Sequence, residues 1–177
     1  MERLSRGGGV WGMDGSRNNL DNPNMNRIPT YALFGDDGDI FGQDWLHWET
    51  IPARSRLHGF TIAPHRHGYL FQILSLTGGS GQVTLDGVAH QMAPQSVAII
   101  PALTVHGYDF SRDVDGIVLT LTEREAAHAG ISIARPAVVR GEAAIQVHAV
   151  MADLIAESDQ TAPARDIAMR ARITLLM

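Results

Sequence analysis

Turn residues cut the stretch from Trp45 to Leu121 into short segments, one about every 8–12 residues, which is the punctuation of an all-β barrel or sandwich. The segments read as strands over Trp45–Thr50, Leu57–Ile62, Tyr69–Thr77, Gln82–Leu85, Val88–Met92, Ser96–Ile100, His106–Phe110 and Gly116–Leu121. Asp86-Gly87 sits alone between two of them and predicts a two-residue hairpin, because that pair supplies the positive φ angles of a type I′ turn.

Before and after this region the pattern differs. Residues 1–27 hold a Gly-Gly-Gly run, several Asn and few aliphatics, so they are expected to form a disordered tail. Order is expected from Ile28 through Phe34, and Asp36-Asp37-Gly38-Asp39 marks a loop. After Thr122 the period becomes helical: Val147, Val150, Met151, Leu154 and Ile155 form one apolar stripe. A second helix is expected from about Pro163, carrying Ile167, Ala168, Met169, Ala171, Ile173, Leu175 and Leu176. It meets Met177 without a C-cap, as a longer architecture cut short would. The chain thus divides into a tail (1–27), a barrel (28–122) and a helical segment (123–177).

Composition removes several classes of function. The chain has no cysteine, which excludes disulfides, Cys-ligated zinc, iron–sulfur clusters and cysteine nucleophiles. No apolar run approaches the ~20 residues of a membrane span, and the N-terminus lacks a signal-peptide core, so a cytoplasmic protein is expected. The formal net charge of −5 disfavours DNA binding by these residues themselves.

Chemistry concentrates in Pro64-His65-Arg66-His67, Leu70-Phe71-Gln72 and Pro101 with His106. Side chains two apart on a strand share a face. His65 and His67 can therefore point together, and His106 can complete a three-imidazole centre open to Zn, Ni, Fe or Mn. The same three residues equally suit a metal-free polar pocket for a small organic anion, or core histidines that hydrogen-bond within the barrel. Trp45 and Trp48 read as barrel packing. His47, His90, His128 and His148 have no partners at ligand spacing.

Gly59, His65-x-His67, Gln72 and Gly79 resemble the first cupin motif, and Pro101 followed by His106 resembles the second. Gln72 stands where that family has a metal-binding Glu. Gln95 and Leu103 stand where it has Gly, and Phe110 replaces its terminal Asn. A neutral amide coordinates weakly and withdraws a negative charge, so the resemblance implies a degraded metal site. It also implies the fold: a mainly β, cupin-like (double-stranded β-helix) barrel followed by two α-helices.

A wider set of residues carries a more specific resemblance. Glu49-Thr50-Ile51-Pro52-Ala53-Arg54-Ser55-Arg56, Leu70-Phe71-Gln72-Ile73-Leu74, Asp86-Gly87 and Val105-His106-Gly107-Tyr108 are similar to AraC-type bacterial regulators that respond to hydroxylated aromatic acids. The resemblance implies an effector-binding, homodimeric sensor module. It also implies that nucleic acid is engaged only through a C-terminal helix-turn-helix domain that this sequence lacks. Arg54 and Arg56 suit an effector carboxylate, since guanidinium matches it in two parallel bonds. His58, His65, His67, Gln72 and His106 would anchor polar groups, and Phe60, Ile62, Phe71 and Tyr108 would wall the ring. No cofactor is required on this reading, although a divalent metal stays open. The rival expectation is a metal-dependent cupin enzyme, a dioxygenase or isomerase, with His65, His67 and His106 as ligands.

Overall fold

The computed structural model describes residues 28–31 and 45–176. The expected tail, the part of the Ile28–Phe34 segment beyond Tyr31, the Asp36–Asp39 loop and Met177 lie outside the described residues. The strands are β1 (Thr30–Tyr31), β2 (Leu46–Thr50), β3 (Thr61–His67), β4 (Leu70–Gly78), β5 (Gly81–Leu85), β6 (Val88–Met92), β7 (Ser96–Ile100), β8 (His106–Phe110), β9 (Asp115–Thr122) and β10 (Ala137–Arg140). The helices are α1 (Ile51–Arg56), α2 (Glu123–His128), α3 (Glu142–Ser158) and α4 (Arg165–Ile173), with a 3₁₀ turn over Thr174–Leu176.

Two five-stranded sheets, ordered β1-β3-β8-β5-β6 and β10-β7-β4-β9-β2, make the barrel. The fold is mainly β and cupin-like. The strands are antiparallel apart from β1, which lies parallel to β3. Asp86 and Gly87 have φ of 47° and 85° between paired Leu85 and Val88, so the expected hairpin turn forms.

β4 is buried on both faces, which separates two cores. Leu74 and Leu76 join Ile51, Ile62, Val83, Tyr108 and Phe110 inside the barrel. Phe71 and Ile73 point the other way and join Val97, Leu119, Met151, Leu154, Met169 and Ile173 beneath the helices. The α3 stripe therefore covers the sheet: Met151 and Leu154 are fully buried and Val147 packs beside them.

Four elements depart from the expected pattern. The segment expected as strand Leu57–Ile62 instead leaves α1 through Gly59 and Phe60, both with positive φ, and only then enters β3. α1 forms where no helix is expected, directly after β2 ends at Thr50: Thr50 caps it by accepting from Ala53 N–H at 3.3 Å, and Pro52 sits in its first turn. α2 is capped in the same way, Thr122 accepting from Glu125 N–H at 3.2 Å. β10, from the segment after Thr122, adds a strand beside β7. Among the described residues no helix is long and apolar enough to cross a membrane.

Candidate functional site

A break in strand alternation builds the site. Along β3 the buried positions are Ile62, His65 and His67, with Ala63 and Pro64 both outward. The register with β8 shifts between Ile62 and His65. Such a bulge inserts one residue and reverses the facing of everything after it, so His65 and His67 enter the interior that Ile62 already faces. His106 pairs directly with His65 across to β8. Gly107 lets the strands approach, since a Cβ there would stand 3.0 Å from the Ile62 carbonyl oxygen.

The three imidazoles converge. Their ring centroids lie 4.3–5.2 Å apart, and one nitrogen from each lies within 4.8 Å of the others. Each Nδ1 faces a backbone carbonyl: Ala63 at 2.9 Å for His65, Tyr31 at 3.1 Å for His67 and Thr104 at 2.9 Å for His106. A carbonyl only accepts, so each Nδ1 carries the proton and each Nε2 keeps its lone pair. Burial lowers the His65 pKa to about 4 and the His106 pKa to about 3, and it lowers that of His67. All three are neutral at pH 7.

This donor set fits a divalent cation. Metal-bound histidines characteristically hold the second nitrogen on a carbonyl or carboxylate, and His106 Nε2 is buried without a protein partner. His65, His67 and His106 are the residues that could hold such an ion. Gln72 lines the same interior, its amide N–H donating to Thr120 Oγ1 at 3.2 Å, and it adds no charge.

A cavity of about 40 Å³ adjoins the histidines. Its polar wall is Glu49, Arg54, Ser55, His65, His67 and Gln72; Ile51, Ile62, Leu74, Tyr108, Phe110 and Val118 form the rest. Arg54 Nε–H donates to both carboxylate oxygens of Glu49 at 3.0 Å. Arg54 lines the cavity with His65 and His67, and its charge adds to the lowering of their pKa values by burial. Ser55 Oγ is buried and has no hydrogen-bond partner among the described residues.

Of the expected ligand contacts, His65, His67, Gln72 and Arg54 line the cavity and His106 stands directly behind. Arg56 is exposed at the end of α1, and His58 is half-buried beyond it; neither lines the cavity. Ile62 and Tyr108 are walls as expected, with Tyr108 stacked on Phe110 at 5.3 Å. Phe71 is not a wall: as the neighbour of inward-facing Gln72 on a strand it must face the helices. Phe60 packs against the inner core without lining the cavity. His148, expected to have no partner at ligand spacing, lies with Nδ1 3.0 Å from Ser75 Oγ and ties α3 to β4. Sequence reasoning passed over Glu49 and Ser55. The signal available for both was the Thr50 cap with Pro52, which turns the chain into a helix and carries Arg54 and Ser55 back over Glu49.

Residues 47–177 match the family model of the AraC-like ligand binding domain. No curated protein sequence matches the chain. Among solved structures, the chain is similar to apo ToxT from Vibrio cholerae at 10% identity and TM-score 0.49, covering 73% of this chain and 53% of that one. It is similar to the AraC-like transcriptional activator CuxR at 13% identity and TM-score 0.46, covering 60% and 41%. It is also similar to a cupin protein from Bacteroides fragilis at 16% identity and TM-score 0.35, covering 44% and 64%. In each case the match spans less than two thirds of the other protein's length.

Proposed function

The chain belongs to the AraC-like ligand-binding domain family, and from that premise we propose that its barrel is the effector-sensing module of a bacterial transcriptional regulator. The effector is a small aromatic acid of the hydroxybenzoate or hydroxyphenylacetate class. The observation that carries this reading is the composition of the cavity wall: one guanidinium paired with the Glu49 carboxylate, neutral imidazoles, the Gln72 amide and the Ser55 hydroxyl among aliphatic and aromatic side chains. Such a wall suits a planar apolar body with an anionic end and a hydroxyl. Arg54 takes the carboxylate; His65, His67, His106 and Gln72 take the phenol end. His58 and Arg56 stand outside the cavity and serve at its approach.

The cavity has room for about three water-sized spheres. An aromatic acid enters only if α1 and its side chains move away from β3 and β8. That movement is the differential contact that binding needs to shift a conformational equilibrium. In this reading residues 28–122 sense and residues 123–177 link and dimerise, with Ile145, Ile167 and Leu175 exposed on the helices. DNA is reached through a further domain in a cytoplasmic regulator, and this chain, at net charge −5, does not grip a duplex itself. Nanomolar sequence-specific binding at physiological salt would contradict that.

The convergent Nε2 atoms support a second reading, a metal-dependent cupin enzyme. A divalent ion held by His65, His67 and His106 would supply Lewis-acid or oxygen-activating chemistry. Calorimetric titration separates the two. With chelator present, 4-hydroxybenzoate and 4-hydroxyphenylacetate bind, phenol binds far more weakly, and Arg54→Gln weakens both acids by at least about tenfold, as expected for a charge-assisted bond. Binding that requires metal, with turnover of the acid, would establish the enzyme instead.

A further inference from the structure

The polar side of the cavity already contains a carboxylate. Glu49 is the penultimate residue of β2, one before the cap of α1, and Arg54 sits on that helix, so the junction folds the two side chains together. Both Glu49 oxygens lie 3.0 Å from Arg54 Nε, and the side chains are only 14% (Arg54) and 20% (Glu49) exposed. Both line the cavity. A second anion cannot share this guanidinium cheaply. The cavity is small, and two carboxylates at one site repel.

We propose that Glu49 is the resident occupant of a carboxylate-binding position on Arg54, and that a ligand's carboxylate enters by taking that position over. The inference rests on the reading of the barrel as an organic-acid site and adds the residue that sets its selectivity. Exchange of one carboxylate for another preserves the charge balance of Arg54. A neutral isostere offers no such replacement and leaves Glu49 in place. Ser55, adjacent to Arg54 in sequence, is buried, lines the same cavity and has an unpartnered hydroxyl available to an arriving oxygen. Eviction of Glu49 also releases a side-chain tie between β2 and α1, the helix that must move away from β3 and β8 for an aromatic ring to enter.

The test uses the full chain with Glu49→Ala, Glu49→Gln and Arg54→Gln. Acetate supplies the carboxylate that Glu49→Ala removes. In acetate, compared with chloride of equal ionic strength, the melting temperature of Glu49→Ala should rise by several degrees more than that of the parent, and Arg54→Gln should abolish the difference. In titration, Glu49→Gln should bind 4-hydroxybenzoate about tenfold tighter than the parent, with 4-hydroxybenzamide changed less than about twofold. Equal acetate effects on parent and Glu49→Ala, or unchanged or weakened acid binding by Glu49→Gln, would overturn the inference. If Glu49→Ala does not fold, the Glu49→Gln titration decides it. Acetate rescue without binding of any aromatic acid would uphold the exchangeable carboxylate position and overturn the aromatic effector.

Discussion

Among the described residues four non-glycines, Phe60, Asp86, Gln95 and Leu103, hold the left-handed backbone that side chains disfavour. Gln95 and Leu103 occupy positions at which the second cupin motif favours glycine, and both have φ of 66°. A left-handed conformation costs an L-residue roughly 1–2 kcal/mol, and Leu103, 61% exposed, recovers little by burial. Glycine loses part of that advantage through the entropy of the unfolded chain. Leu103→Gly is therefore expected to stabilise the fold by about 0.5–1 kcal/mol in urea unfolding, and a loss would place the Leu103 side chain in a necessary contact. The buried histidines make a second prediction. Unfolded imidazoles take up protons near pH 6.5, whereas His65 and His106 in the fold wait until about 4 and 3. Between those limits the unfolded state binds more protons, so stability rises with pH. It is fully present above about pH 6.5 and falls below, by up to ~1.4 kcal/mol per pH unit for each histidine. Urea unfolding at pH 7.5 and pH 5 should show a smaller acid loss in His106→Leu than in the parent. The histidine spacing and Arg54 were legible in the sequence. Glu49 was not: the Thr50 cap and Pro52 signal that a helix starts beside it, but not that this helix brings Arg54 onto its carboxylate.

The elements divide by how their signals are encoded. The β core was legible because turn residues bracket each strand and Asp86-Gly87 fixes one hairpin. The β3 bulge was not, since Pro64 marks an irregularity without stating its phase, and that phase decides whether the histidines face in or out. The short α1 and α2 hide from periodicity: six residues span less than two turns, and only their Thr caps betray them. α4 docks through charged groups rather than an apolar stripe alone. Arg170 donates to Glu125 at 2.7 Å and to Asp166 at 3.0 Å and lies 4.6 Å from the Trp45 ring, while Trp45 Nε1–H donates to Asp166 at 2.6 Å. Glu125 is buried, so Arg170→Ala strips a charged partner from a desolvated carboxylate. The expected cost is about 1–2 kcal/mol in chemical unfolding, with 4-hydroxybenzoate affinity changed less than about twofold, because this cluster lies on the opposite side of the sheet from the cavity. A large affinity change would mean that α4 and the cavity are already coupled.

Across the whole molecule, one sheet serves two cores. Its inner face closes the ligand cavity and its outer face carries the helices, so Leu74 and Ile73, adjacent on β4, belong to different functions. Rearrangement around the cavity can reach the helices through β2, which presents Glu49 to the cavity at one end and adjoins Trp45 at the other. On the proposed function the barrel takes an aromatic acid and needs no metal to do so. Thermal unfolding in chelator, with and without 4-hydroxybenzoate at about 100 times its dissociation constant, tests it most directly. Stabilisation by about 2.7 kcal/mol, a rise of several degrees for a chain of this size, is expected. An unchanged melting temperature in chelator, with stabilisation appearing only when metal is restored, would contradict it.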